Sequence, residues 1–237
     1  MMDGIVMCAH TSHPGDYWTS IHRPIVAFDR VLGDGISSIG SDHEQGERLI
    51  AQMLIRNGAK HVVMIGGPRD QFFDLAARGE VEEGPFDLGK TTFPTVRYCL
   101  TLEQELTSAG VKYEYVEAGE VMDFAGYHRA VSNALDKVTA DGVDAVVSSD
   151  IGASFCVREA LSRGISIPDE LQIVAYDGTY LTDLAGMKLT AVAQDFSRSH
   201  SRRPTTSCRL LPMRKWLRLT LHAGTSPSRS SRTCLFP

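Results

Sequence analysis

Apolar residues along this chain come in short runs separated by longer amphipathic stretches, and that alternation predicts its elements. Residues 3–9 and Pro24 to Asp29 (PIVAFD) are short apolar runs bounded by turn residues, as expected of buried strands in a parallel sheet. Residues 42–57, DHEQGERLIAQMLIRN, predict a helix. Asp42 can cap it, Leu49, Ile50, Met53 and Leu54 form an apolar stripe, and Gly58 ends it. KHVVMI (60–65) is the next strand, stopped by Gly66-Gly67-Pro68. Residues 69–90, acidic and punctuated by Gly79, Gly84 and Gly89, predict a long loop. Helices follow at 95–109, 123–140 and 151–163, with strands at 112–116, 143–147 and 171–175 between and after them. Strand and helix alternate, the pattern of a parallel sheet flanked by helices.

The stretch LQIVAYDGTYLTDLAGMKLTAVAQDF (171–196) is the most informative. It reads as a buried strand, a polar turn opening on Asp177, a loop, a second strand, and then Gln194-Asp195, where a chain could cross between two lobes. Open α/β sheets bind ligands at such strand ends.

Composition changes this picture in one place. The 237 residues are 43% hydrophobic and 22% charged, ordinary for a globular protein with room for one large core or two smaller ones. No apolar run is long enough to span a membrane, and MMDGIVMCAH is not a secretory signal. Cys8, Cys99, Cys156, Cys208 and Cys234 lack CxxC spacing, which fits free thiols in a reducing cytoplasm. The net charge of −5, however, conceals a division. Residues 197–237 hold eight Arg and one Lys and no Asp or Glu, while the remainder has 15 basic against 29 acidic residues. The acidic body is a poor match for nucleic acid. The tail reads in three ways: a basic arm, an unstructured tail, or a shifted reading frame beginning just after Phe196. The abrupt change of composition favours the last.

Several motifs, in order, are similar to those of the lactose-repressor (LacI-type) family of transcription regulators. They are DGIVM with RPIVAFDR (23–30), IGSDHEQGERLIAQMLIRNGAKHVVMIGGP (39–68), GVDAVVSSDIGASFCVREALSRGISIPDELQIVAYDGT (142–179) and LTAVAQDF (189–196). The resemblance covers about residues 3–196. It implies an α/β, two-lobed periplasmic-binding-protein-like fold with parallel sheets flanked by helices, its N-terminal lobe incomplete. The implied division is a partial N-terminal lobe at 1–68, a C-terminal lobe at 69–193, and from 194 to 237 a crossover followed by a disordered or frame-shifted basic tail. Crossovers would fall near 66–70 and 193–196. The family's helix-turn-helix and the opening strand–helix units of its first lobe have no counterpart in these residues, so operator DNA would be reached only through a head absent from this chain.

The resemblance further implies a small-molecule effector, a carbohydrate, bound between the lobes by Arg97, Ser149, Asp150, Asp177 and Gln194. It implies a cytoplasmic homodimer with no cofactor and no catalysis. The chemistry suits sugar hydroxyls: Asp177 accepts, Arg97 donates in a planar fork, and Gln194 does both. Tyr176 and Tyr180 could pack on a sugar face. Each residue also has a plainer reading. Asp150 could be a helix N-cap, Asp177-Gly178 an ordinary turn, and Arg97 a surface arginine. Ser149 stands where the family often carries an amide. A periplasmic transport component would share the fold, and a small α/β enzyme would have only Asp150 and Asp177 as a candidate pair. His10, His13 and His22 near Asp16 match no zinc spacing, Gly66-Gly67 lacks a nucleotide-loop pattern, and no GxSxG is present. Asp29-Arg30 reads as a structural turn.

Overall fold

The computed structural model describes residues 4–7, 17–18, 20–28, 32, 36–67, 94–119, 123–194, 205–206 and 208–211. The strands are β1 (Ile5–Met7), β2 (Ile25–Phe28), β3 (Ser37–Ser41), β4 (His61–Gly66), β5 (Lys112–Glu117), β6 (Ala145–Ser148), β7 (Gln172–Ala175), β8 (Thr190–Gln194), β9 (Thr205–Thr206) and β10 (Cys208–Leu211). The helices are α1 (His43–Arg56), α2 (Pro94–Ser108), α3 (Phe124–Asp141) and α4 (Asp150–Ser162), with a 3-10 turn at Tyr180–Ala185. The expected loop at 69–90, and His10, His13, Asp16 and Asp29-Arg30, lie outside the described residues.

Two sheets form. The smaller has the order β1-β2-β3-β9 and the larger β10-β8-β7-β6-β4-β5. Every pairing is parallel except β10 on β8. Helices cover both faces of the larger sheet, because alternate residues of its central strands point opposite ways. Val62 and Met64 of β4 join a core with Leu49, Ile50 and Leu54 of α1 and Leu102 and Leu106 of α2. Val63 and Ile65 join a second core with Val131 and Leu135 of α3 and Cys156 and Val157 of α4. The smaller sheet has a modest core of Trp18, Ile25, Ala27 and Leu32.

This topology moves the lobe boundary from residue 68 to residue 41. All six residues of β4 are buried, and it pairs with β5 on one edge and β6 on the other, so α1 and β4 belong to the larger sheet. A strand apolar on both faces is stable only at the centre of a sheet covered on both sides. The first crossover is therefore Ser41-Asp42, at the end of β3, rather than 66–70. Strand β3 itself, SSIGS, carries no apolar alternation; it is a strand because β2 on one side and β9 on the other satisfy its backbone.

The stretch expected to be a disordered tail also differs in part. Thr205–Thr206 adds to β3 in the smaller sheet and Cys208–Leu211 adds to β8 in the larger. Both strands satisfy backbone groups at sheet edges that would otherwise be unpaired. The chain thus has strands in the smaller sheet up to Ser41, in the larger sheet up to Gln194, in the smaller again at Thr205–Thr206 and in the larger at Cys208–Leu211.

Candidate functional site

The C-terminal ends of the larger sheet's parallel strands gather four polar segments. The first is the turn after β7. Asp150, at the start of α4, is 2% exposed, and its carboxylate is occupied by that turn. The Gly178 N–H donates to Oδ1 at 2.9 Å, and the Thr179 N–H and Oγ1–H donate to Oδ2, each at 2.5 Å. The Thr179 hydroxyl in turn accepts from the Leu181 N–H at 3.3 Å, starting the 3-10 turn. Asp150 is therefore not the N-cap of α4. It braces the loop that presents Asp177. The N-cap is Ser149, whose Oγ accepts from the Gly152 N–H at 3.3 Å and donates to the Tyr127 hydroxyl at 3.5 Å.

Gly178 explains why the turn is Asp-Gly. Its φ is +62°, and a Cβ there would lie 2.5 Å from Ala193 Cα and 2.7 Å from Val192 O. The Asp177 turn thus lies flat against the end of β8, one residue from Gln194.

The second segment is Gln194, the last residue of β8, whose Oε1 accepts a 2.7 Å hydrogen bond from Ser41 Oγ. The third is the start of α1. The Asp42 side chain accepts from the Gln45 N–H at 3.0 Å, as the sequence predicts. One turn on, Glu47 is 1% exposed and neither carboxylate oxygen has a hydrogen-bond partner. Burial, and secondarily the charge of Asp177, push its carboxyl well above the usual range, which favours its neutral form. A sequence signal for Glu47 exists: position 47 lies three residues before Ile50 and seven before Leu54, on the apolar stripe of α1.

The fourth segment is the end of β4. The Tyr115 hydroxyl donates to Gly67 O at 2.6 Å, and a Cβ at Gly66 would collide with that hydroxyl. Gly66 is therefore packed closely against Tyr115, whereas a Cβ at Gly67 would meet nothing within 4 Å. Arg97 lies in the first turn of α2, at this end of the sheet, because α2 leads back into β5. Its side chain lies outside the described residues. The two aromatic candidates do not form a platform. Tyr176 is 8% exposed and belongs to the core under α1 and α2, while Tyr180 is 75% exposed on the 3-10 turn. Among the described residues, no group of three or more His, Cys, Asp or Glu could hold a metal ion, and no helix is long and apolar enough to cross a membrane.

Two α/β sheets joined by adjacent crossovers, with the Asp177 turn, Gln194 and Ser41 at the strand ends beside them, define a two-lobed fold of the periplasmic-binding-protein type. Comparison with known proteins agrees. Residues 51–199 match the periplasmic binding protein-like domain, and the chain belongs to that family. The sucrose operon repressor of Streptococcus mutans is 27% identical over 193 residues, covering 81% of this chain and 52% of that protein. The ribose operon repressor of Bacillus subtilis is 26% identical over 196 residues, covering 78% and 50%. The chain thus spans about half the length of the curated relatives it matches. Two solved structures share the fold. One is the periplasmic binding ribose operon repressor protein from Lactobacillus acidophilus, with a TM-score of 0.64 and 18% identity, covering 88% of this chain and 74% of that one. The other is a periplasmic binding protein/LacI transcriptional regulator from Alkaliphilus metalliredigens, complexed with D-xylulofuranose, with a TM-score of 0.62 and 19% identity, covering 89% and 76%. The chain is accordingly similar to the effector-binding domains of LacI-type regulators, as its motifs imply.

Proposed function

We propose that this chain is the effector-sensing part of a LacI-type transcription regulator and that its effector is a small carbohydrate. The observation that carries this reading is the convergence of the braced Asp177 turn, Gln194 and the Ser41 crossover at the strand ends between two sheets. A ligand there touches both sides of a crossover and favours whichever lobe arrangement it binds better; it shifts the equilibrium only by that difference in affinity. In a complete regulator this shift changes the spacing of two helix-turn-helix heads on operator DNA. The protein acts as a cytoplasmic homodimer and has no catalytic role.

The binding set is Asp177 and Gln194, with Arg97 from the start of α2 and Ser149 at the start of α4. Asp150 supports this set from below. That placement also weakens an enzymatic reading, because one member of the Asp150–Asp177 pair is committed to three hydrogen bonds within the fold. The test is thermal unfolding with D-ribose, sucrose and D-xylulose, each at millimolar concentration, followed by assay for turnover. The expected result is a concentration-dependent rise in Tm with one sugar, lost in Asp177→Ala, and no product. Turnover, or a rise that survives Asp177→Ala, overturns the reading.

A further inference from the structure

We infer that Glu47 makes the effector site selective for a sugar that carries a protonated amine at its Asp177 end, an inference that rests on the effector-sensing reading above. Glu47 lies on the buried face of α1 together with Ile50 and Leu54. Those two residues pack into a core that contains Tyr176 and Val192. Both of the latter border the Asp177 turn: Tyr176 precedes Asp177 in the chain, and Val192 O lies against Gly178. Glu47 stands one helical turn nearer the crossover than Ile50, at the end of the core that adjoins this turn. Burial, and then the charge of Asp177, raises the Glu47 pKa, so the two carboxyls lie within electrostatic reach of each other.

The described residues give this carboxyl no counter-charge. Neither oxygen has a hydrogen-bond partner, so His43, one turn earlier on α1 and also buried, makes no bond to it. Arg48 is turned to Glu44 at 3.0 Å and to Glu105 at 3.3 Å. The other titratable groups on this side of the sheet are Cys99 and Glu103 of α2 and Tyr113 and Tyr115 of β5, none of them cationic. A buried carboxyl without a partner lowers stability in either protonation state, a cost that proteins carry mainly at functional sites. Ionised, Glu47 and Asp177 are both acceptors only. A sugar hydroxyl has one proton to donate and serves one of them. An ammonium group has three and a full charge, and in low-dielectric surroundings it attracts a second carboxylate even without touching it. As the ammonium settles on Asp177, Glu47 releases its proton to solvent, and the new carboxylate balances the incoming charge. A neutral sugar leaves Glu47 protonated and gains nothing from it.

The test uses the full chain and the variants Glu47→Gln and Glu47→Met, both of which remove the buried acid at nearly constant volume. Calorimetry compares D-glucosamine with D-glucose, D-ribose and sucrose at about pH 6, where the amine is protonated. Each titration is run in two buffers of different ionisation enthalpy, and the difference in heat reads the protons released. The parent chain should bind D-glucosamine about tenfold or more tighter than the neutral sugars, the effect of one hydrogen bond to a charged group. It should release a proton with D-glucosamine and none with D-glucose. In both variants the preference should fall to about twofold or less, and the proton release should vanish. Equal or weaker binding of D-glucosamine by the parent chain overturns the inference, as does a preference or a proton release that survives both variants. If a neutral sugar binds and D-glucosamine does not, the effector-sensing reading stands without it. If none of the four sugars binds, that reading fails for these probes and the inference falls with it.

Discussion

Replacing Asp150 with alanine should destabilise the protein as a structural brace would, beyond any loss of ligand. The carboxylate is 2% exposed and accepts three hydrogen bonds, two of them from backbone N–H groups of Gly178 and Thr179. A hydrogen bond to a charged acceptor contributes about 1.5–3 kcal/mol, and a buried N–H left without a partner costs about 1–3 kcal/mol. The Thr179 hydroxyl can rotate toward another acceptor, and the turn is only half-buried, so water can re-enter. The net loss should therefore be about 2–4 kcal/mol, or roughly 4–16 °C in Tm for a chain of this size. Asp150→Asn keeps the shape but turns an NH2 group toward donors, and should lose about half as much. Urea unfolding in the absence of any sugar measures the loss directly. Hydrogen exchange should accelerate at amides 178–182 before the rest of the larger sheet, because the turn and the 3-10 segment depend on this carboxylate. A loss below about 0.5 kcal/mol, typical of an ordinary surface change, together with unchanged exchange in the turn, would refute the bracing role and return Asp150 to the ligand set.

Other outcomes follow from the same geometry. Gly178→Ala meets both a positive φ and the backbone of Val192 and Ala193, and should cost about 2 kcal/mol or more in urea unfolding. Burial raises the Glu47 pKa in the fold but not in the unfolded chain, so the unfolded chain binds fewer protons above pH 4.5 and stability falls as pH rises toward the folded value. Glu47→Met should remove that slope and raise stability at pH 8 by about 1–3 kcal/mol; an unchanged pH profile would contradict a buried, unpartnered carboxyl. Glu114 has the opposite sign. Hydrogen bonds from Lys112 and Lys137 lower its pKa to about 2, so its contribution is present above pH 4.5 and is lost as pH falls from there toward 2. Glu114→Gln should flatten the acid limb of stability by about 1 kcal/mol, since both lysines reach solvent.

The order and type of the large elements were legible in the chain because local signals and burial agree there. In α1, for example, the Asp42 cap, the Leu49–Ile50–Leu54 stripe and Gly58 all favour one helix, and the structure contains it. That Asp177 and Gln194 stand at strand ends was legible for a similar reason: each closes a short apolar run, Asp177 two residues after β7 and Gln194 as the last residue of β8. The lobe boundary was not. KHVVMI has the same apolar pattern whether it pairs with the smaller or the larger sheet, and only β5 and β6 on its two edges decide the matter. Strand β3 was hidden because its stabilisation comes from neighbours rather than from its own side chains. The roles within the site were hidden too. Asp150 at a helix start is compatible with a cap, a ligand contact or a brace, and the choice depends on a turn 28 residues away. The Ser41–Gln194 bond joins positions 153 apart, a pairing no local pattern encodes. Periodicity and caps act over a few residues, so the sequence alone determined the helices and the central strands. Which edge each strand pairs along, and which atom each polar group faces, depend on long-range contacts that exist only in the folded chain.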